Sequence, residues 1–308
     1  MRSCFARVTF SLRVAPLVRV ATLIRVATPF IRVATLCIVM ATAGCASLLS
    51  SVTGDLAENL ALAILESDDP DTVREAIPAY LLLIDSFLRD APENPAMLTA
   101  ASELNGAFAS FVDTDRAGAL SQKSLRYALR AACVRRPDWC EVRSLGFAAF
   151  KERFAEVSAR DVDVIYRVGV SWAGWVQANA GDWNAIADLS KVRFLIERVL
   201  SIDETHDDGG AHLYLAVLDT LLPALSGGRP EEGRRHFDRS IELAGGRFLM
   251  TKVLYAEQYA RLVFDKALHD RLLTEVLAAA PEQPRMTLAN VVAQRRAKNL
   301  LAESNDYF

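Results

Sequence analysis

The chain is punctuated by Gly- and Pro-bearing breaks every 15–25 residues, and between them apolar residues recur at intervals of three and four. That spacing places apolar side chains on one face of a helix, and no stretch alternates apolar and polar residues as a half-buried strand does. A chain built this way has few choices. It can bury those stripes only helix against helix, so the fold class is all-α. Asp69-Pro70 illustrates one start signal: a capping carboxylate followed by proline at the first helical position. Val73, Ala76, Ile77, Tyr80, Leu81, Ile84 and Leu88 then form one stripe, interrupted by Pro78, where a kink is expected. Further helices are expected over residues 98–111, from Asp113 or Asp115 to about residue 132, over 141–157, and from Asp161 or Asp163 to Ala180. The breaks imply about 11–12 helices in all.

Four segments share a form: "LRYALRAA" (125–132), "IERVLSID" (196–203), "FDRSIELA" (237–244) and "LTEVLAAA" (273–280). Each closes a helix just before a turn, and the last three start 41 and 36 residues apart. This approximates the roughly 34-residue period of tetratricopeptide helix pairs, with insertions. A plain helical bundle could imitate so degenerate a signal; stacked pairs forming a helical-repeat superhelix are the reading taken. "RPEEGRRHFDRSIEL" fits best, with Gly233 letting two helices approach and Phe237 and Ile241 filling the gap.

The first 44 residues read differently. Six arginines are their only charges, and the uncharged run from Val33 to Gly44 is too short for the roughly 20 apolar residues of a transmembrane helix. Positive segment, apolar core and small residues at the end make a signal peptide with a long, repetitive front ("RVATLI RVATPFI RVATLC"). Thr42-Ala43-Gly44-Cys45 resembles a bacterial lipobox, although Thr42 stands where leucine is commoner; cleavage after Ala41-Thr42-Ala43 without lipidation is the alternative. The expected organisation is therefore a signal over 1–44, a lipidated Cys45 with a tether over 45–54, and a helical-repeat domain over 55–308. The nine residues from Ala46 to Gly54 span at most about 30 Å. Ala46, in place of an aspartate after the cysteine, points to the outer membrane. Removing the leader takes the formal charge from −3 to −9. An acidic domain repels phosphate backbones, so no nucleic-acid partner is expected.

Cys133 and Cys140 flank "VRRPDW". In an oxidising periplasm they would form a disulfide closing a small loop; two half-buried thiols are the alternative. No zinc site is expected, because no other Cys or His lies near them in sequence.

The segments "SDDPDTVREAIPAYLLLIDSFL", "SWAGWVQANAGDWNAIADLSKVRFLIERVLSID", "GGRPEEGRRHFDRSIELAGGRFLMTKVLYAEQYA" and "LANVVAQRRAKNLLAESNDYF" together resemble the T component (TatT) of TRAP transporters associated with tetratricopeptide-repeat proteins. The likeness covers nearly all of residues 55–308 and rests on whole segments, not a short signature. It implies a periplasmic, lipid-anchored helical-repeat protein that pairs with the solute-binding subunit of a TRAP transporter and handles an apolar or organic-acid ligand. A homo-oligomer is compatible with it. A helical-repeat lipoprotein of envelope assembly is the competing role.

Four aromatics, Tyr166, Trp172, Trp175 and Trp183, sit near Gly169 and Gly174 and could wall a ligand or partner groove; packing between central repeats is the alternative. "GVSWAG" misses the hydrolase elbow because its second glycine falls one residue late, so Ser171 is not read as a nucleophile. Asp203, Glu204, His206, Asp207, Asp208 and His212 could in principle bind a metal, but they lack the EF-hand register. The reading taken is that Asp207 or Asp208 caps the next helix, with Gly209 and Gly210 in the turn. His236 and His269 are expected at surfaces. No paired carboxylates, P-loop or dinucleotide fingerprint appears, so no enzyme, metal or cofactor is expected.

Overall fold

The capping chemistry read from the sequence operates as expected at the first helices. The structure is a computed structural model that describes residues 59, 61–112 and 114–308; Cys45, the tether and Asp113 lie outside them. Asp69 accepts backbone N–H bonds from Asp71 and Thr72 at 3.0 and 3.1 Å and starts α1 (Pro70–Asp90), which runs through Pro78 without ending. Asn94 caps α2 (Pro95–Ala109) through the Met97 N–H at 3.1 Å. The chain continues as α3 (Thr114–Arg135), α4 (Phe147–Arg153), α5 (Val162–Ala178), α6 (Trp183–Ala187), α7 (Leu189–Ile202), α8 (His206–Asp219) and α9 (Pro230–Leu243). It closes with α10 (Met250–Leu254, widening into a π turn over Tyr255–Ala260), α11 (Lys266–Ala278), α12 (Thr287–Ala302) and α13 (Ser304–Tyr307). The protein is all-α, with no strand among the described residues.

The thirteen α-helices from Pro70 onward exceed the expected count because α4, α6 and α13 are only 7, 5 and 4 residues long, too short to show periodicity. The single helix expected over 141–157 is divided. Glu141 takes a left-handed conformation (φ 59°), a short 3-10 turn covers Val142–Ser144, and Gly146 then starts α4.

The repeat segments fall on α3, α7, α9 and α11. Each of these is the second helix of a pair whose first members are α2, α5, α8 and α10. Packing follows that bookkeeping. Within pairs α2 meets α3, α5 meets α7, α8 meets α9 and α10 meets α11; between pairs α3 meets α5, α7 meets α8 and α9 meets α10. In addition α2 touches α5, α5 touches α8, and α10 touches α12. These contacts are consistent with stacked helix pairs, in which each unit buries its apolar stripe against its neighbour. The 71-residue gap between the first two repeat segments is filled by insertions: the disulfide loop and α4 before α5, and α6 after it.

The array's ends meet. Leu288 from the start of α12 packs with Val73, Ile77, Leu81 and Phe108, and Arg295 bonds Asp71 at 2.8 Å. No helix among the described residues is long and apolar enough to cross a membrane.

Close approach of α8 and α9 depends on Gly233. A Cβ there would stand 3.0 Å from the Ala216 carbonyl oxygen and 2.6 Å from Thr220 Cγ2. Behind it Phe237, fully buried, stacks on Tyr255 at 4.9 Å. Gly233→Val is expected to destabilise the chain by about 1–3 kcal/mol, because the backbone oxygen cannot rotate away. Denaturant unfolding measures this; a neutral result would mean the helices can separate at no cost.

Candidate functional site

The side-by-side first helices bring together charged residues far apart in sequence. Glu103 comes from α2, Asp163, Tyr166 and Arg167 from α5, and His206 and Asp207 from the start of α8. Arg285, in the loop before α12, adds its charge to the same place. Arg167 Nη1 bonds Glu103 Oε1 at 2.7 Å, and its Nε lies 3.5 Å from Asp163 Oδ1, which also faces His206 Nε2 at 3.8 Å. The Glu103 side chain keeps 44% of its surface open to water. Yet the protein around it raises its pKa, chiefly by desolvation and then by the charges of Asp163 and Asp207, against Arg167 and Arg285. Glu103 is thus partly open to water yet crowded by the carboxylates of the same cluster.

Tyr166 links the cluster to the core. It is buried, its hydroxyl donates to Asp207 Oδ2 at 2.7 Å, and its ring meets the His206 and Tyr214 rings edge-on at 4.9 and 6.1 Å. Burial, together with the nearby Tyr214 and Asp207, pushes its pKa far up, so it serves as a donor and not as a base. Asp207 reaches it through strained backbone. Asp207, Asp208 and Gly209 all occupy the left-handed region (φ 52°, 51° and 82°). For the two aspartates that costs roughly 1–3 kcal/mol each. Neither aspartate caps α8, contrary to the sequence reading: one is committed to Tyr166, and Asp208 bonds Arg247 at 3.2 Å. Gly210 must lack a side chain, since a Cβ would lie 2.1 Å from the Tyr166 hydroxyl.

The four predicted groove aromatics do not share one surface. Trp172 is fully buried with its indole N–H on Asp188 Oδ2 at 3.1 Å, and Trp175 is buried under the Arg143 guanidinium at 4.3 Å. Both join Tyr166 in the main core, whereas Trp183 is 85% exposed on α6. Gly169 gives room to Ile196, and nothing approaches Gly174. Trp183 follows the C-terminal end of α5, and the charged cluster gathers near its N-terminal end. The eleven residue steps from Arg167 to Ala178 rise about 17 Å along the helix.

Cys133 and Cys140 form a disulfide. The loop it closes buries Trp139 completely, with its N–H on the Arg153 carbonyl at 3.3 Å and its ring stacked on Phe154. Among the described residues no group of three or more His, Cys, Asp or Glu is placed to hold a metal. His269, expected at the surface, is fully buried beside Asp270 and Phe308, and His236 pairs with His212 across α8 and α9. Glu103, Arg167 and Arg285 escaped sequence reasoning. They are 64 and 118 residues apart and carry no motif; only the stacking of first helices could have placed them together.

No protein in a search of curated proteins matches the chain. A family model described as TRAP transporter T-component matches residues 66–308, which takes in α1 through α13 and every residue of the charged cluster. The chain belongs to the TRAP transporter T-component family.

Proposed function

We propose that the protein is the lipid-anchored scaffold of a TRAP transporter, working at the periplasmic face of a bacterial membrane and holding the transporter's solute-binding subunit. The observation that carries this reading is the family match over the whole helical array, inserts included. Cys45 would supply the anchor. Two features divide the labour. Trp183 is a large aromatic left open on a short helix at the edge of the array, the residue type most enriched among interface anchors. The charged cluster near the N-terminal end of α5 sets Arg167 and Arg285 beside three carboxylates, a polar surface poorly suited to an apolar cargo.

The test is affinity capture with the mature domain, asking whether the solute-binding subunit of the same transporter is retained. Recovery of envelope-assembly factors alone would favour the competing role. Trp183→Ala is expected to weaken the complex by about tenfold or more, as a central aromatic anchor does, with unfolding unchanged because the ring packs on little. Equal affinity in titration calorimetry would place the contact elsewhere.

A further inference from the structure

Helices α8 and α9 are joined by a pair of histidines that no part of the proposed function uses. His212 Nδ1 and His236 Nδ1 are 2.7 Å apart, with His212 largely buried and His236 partly so. Each ring's other nitrogen faces a carboxylate. His212 Nε2 is 3.1 Å from Glu204 Oε1, and Arg239 grips the same carboxylate at 2.8 and 2.9 Å. His236 Nε2 is 4.0 Å from Asp219 Oδ2. Asp219 is almost wholly buried; Arg193 and Arg229 both bond its Oδ1, while Oδ2 has no hydrogen-bond partner. Glu232 on α9 also faces His236.

Counting protons along this line is decisive. A nitrogen–nitrogen contact of 2.7 Å needs one N–H and one lone pair. In the neutral pair His212 gives its Nε2–H to Glu204 and its Nδ1 accepts from the Nδ1–H of His236. His236 Nε2 is then bare, opposite the unpartnered Asp219 oxygen. One added proton belongs there, where it turns an orphaned carboxylate oxygen into an acceptor. A second proton has only His212 Nδ1 left, and would set N–H against N–H at the same short distance.

We propose that the His212–His236 pair is a proton-operated joint: it takes up one proton with α8 and α9 together and is forced apart by the second. Burial lowers both pKa values from the ordinary 6.5, and for His236 the charge of His212 acts in the same direction. The unfolded chain therefore binds these protons first. Stability from the joint is complete above about pH 6.5 and is lost as pH falls below it.

The test is an imidazole nitrogen NMR titration of the full chain, with thermal unfolding followed from about pH 7 to about pH 5. The two rings should titrate as one coupled pair, in steps separated by more than about one pH unit. His236→Gln keeps a donor to His212 but cannot be charged. In it His212 should titrate in one step, and the acid-induced fall in Tm should be smaller by about 3 °C or more. Two independent single-step titrations, or an equal fall in the variant, would overturn the proposal. Should the variant not fold, the wild-type titration decides alone.

Discussion

Trp172→Ala is expected to destabilise the protein by about 3–5 kcal/mol, the largest effect of any single truncation of a side chain in α5. The indole is fully buried, meets Phe150 edge-on at 5.8 Å, lies under the Lys191 ammonium at 5.4 Å and bonds Asp188. Helix α5 contacts α2, α3, α7 and α8, so neighbours on several sides hold the walls of the cavity apart. Collapse would mean moving two adjacent helix pairs at once. Trp172→Phe keeps most of the volume and should cost less, because Asp188 retains the Lys191 ammonium at 3.1 Å. Urea unfolding of both variants gives the comparison. A cost for Trp172→Ala below about 1 kcal/mol would show that the ring does not occupy the core.

Asp219→Ala should cost about 3 kcal/mol, at the lower end of the range for breaking a buried ion pair. Its carboxylate is the common acceptor for Arg193 on α7 and Arg229 in the α8–α9 connection, and it ties three segments at one buried point. The remaining charges differ in their escape routes. Arg229 is half exposed and can turn to water, while Arg193 keeps only a long contact to Glu197 at 3.8 Å. That asymmetry is why the lower figure is expected. Asp219→Asn retains an acceptor and should fall between wild type and alanine. Chemical denaturation of the pair tests this; equal costs would mean that charge at this point contributes nothing.

Much of the architecture was legible because it is written locally. Asp69-Pro70 announces a helix start through a carboxylate that bonds its own next turn. The four repeat segments all mark second helices of pairs, since each pair repeats the same burial problem. Gly233 was readable as a close-packing point for the same reason. Legibility failed where a residue's partner lies far along the chain. Asp207 looked like a cap, yet Tyr166, 41 residues earlier, claims its carboxylate and holds the backbone left-handed. Four aromatics with nearby glycines looked like a groove wall. Helical spacing instead turned Trp172 and Trp175 inward, and left Trp183 on another helix altogether. His269 carried no sequence mark of burial; Asp270 beside it supplies the bond that makes burial tolerable.

In the proposed function the solute-binding subunit of the TRAP transporter docks at Trp183 on α6, and the charged cluster near the start of α5 is left to cargo. Hydrogen–deuterium exchange of the domain, alone and mixed with the solute-binding subunit of the same transporter, tests it most directly. The expected result is slower exchange in α6 and the adjoining C-terminal end of α5, with α11 to α13 unchanged. Absence of a complex, or slowing confined to α11 to α13, would contradict it.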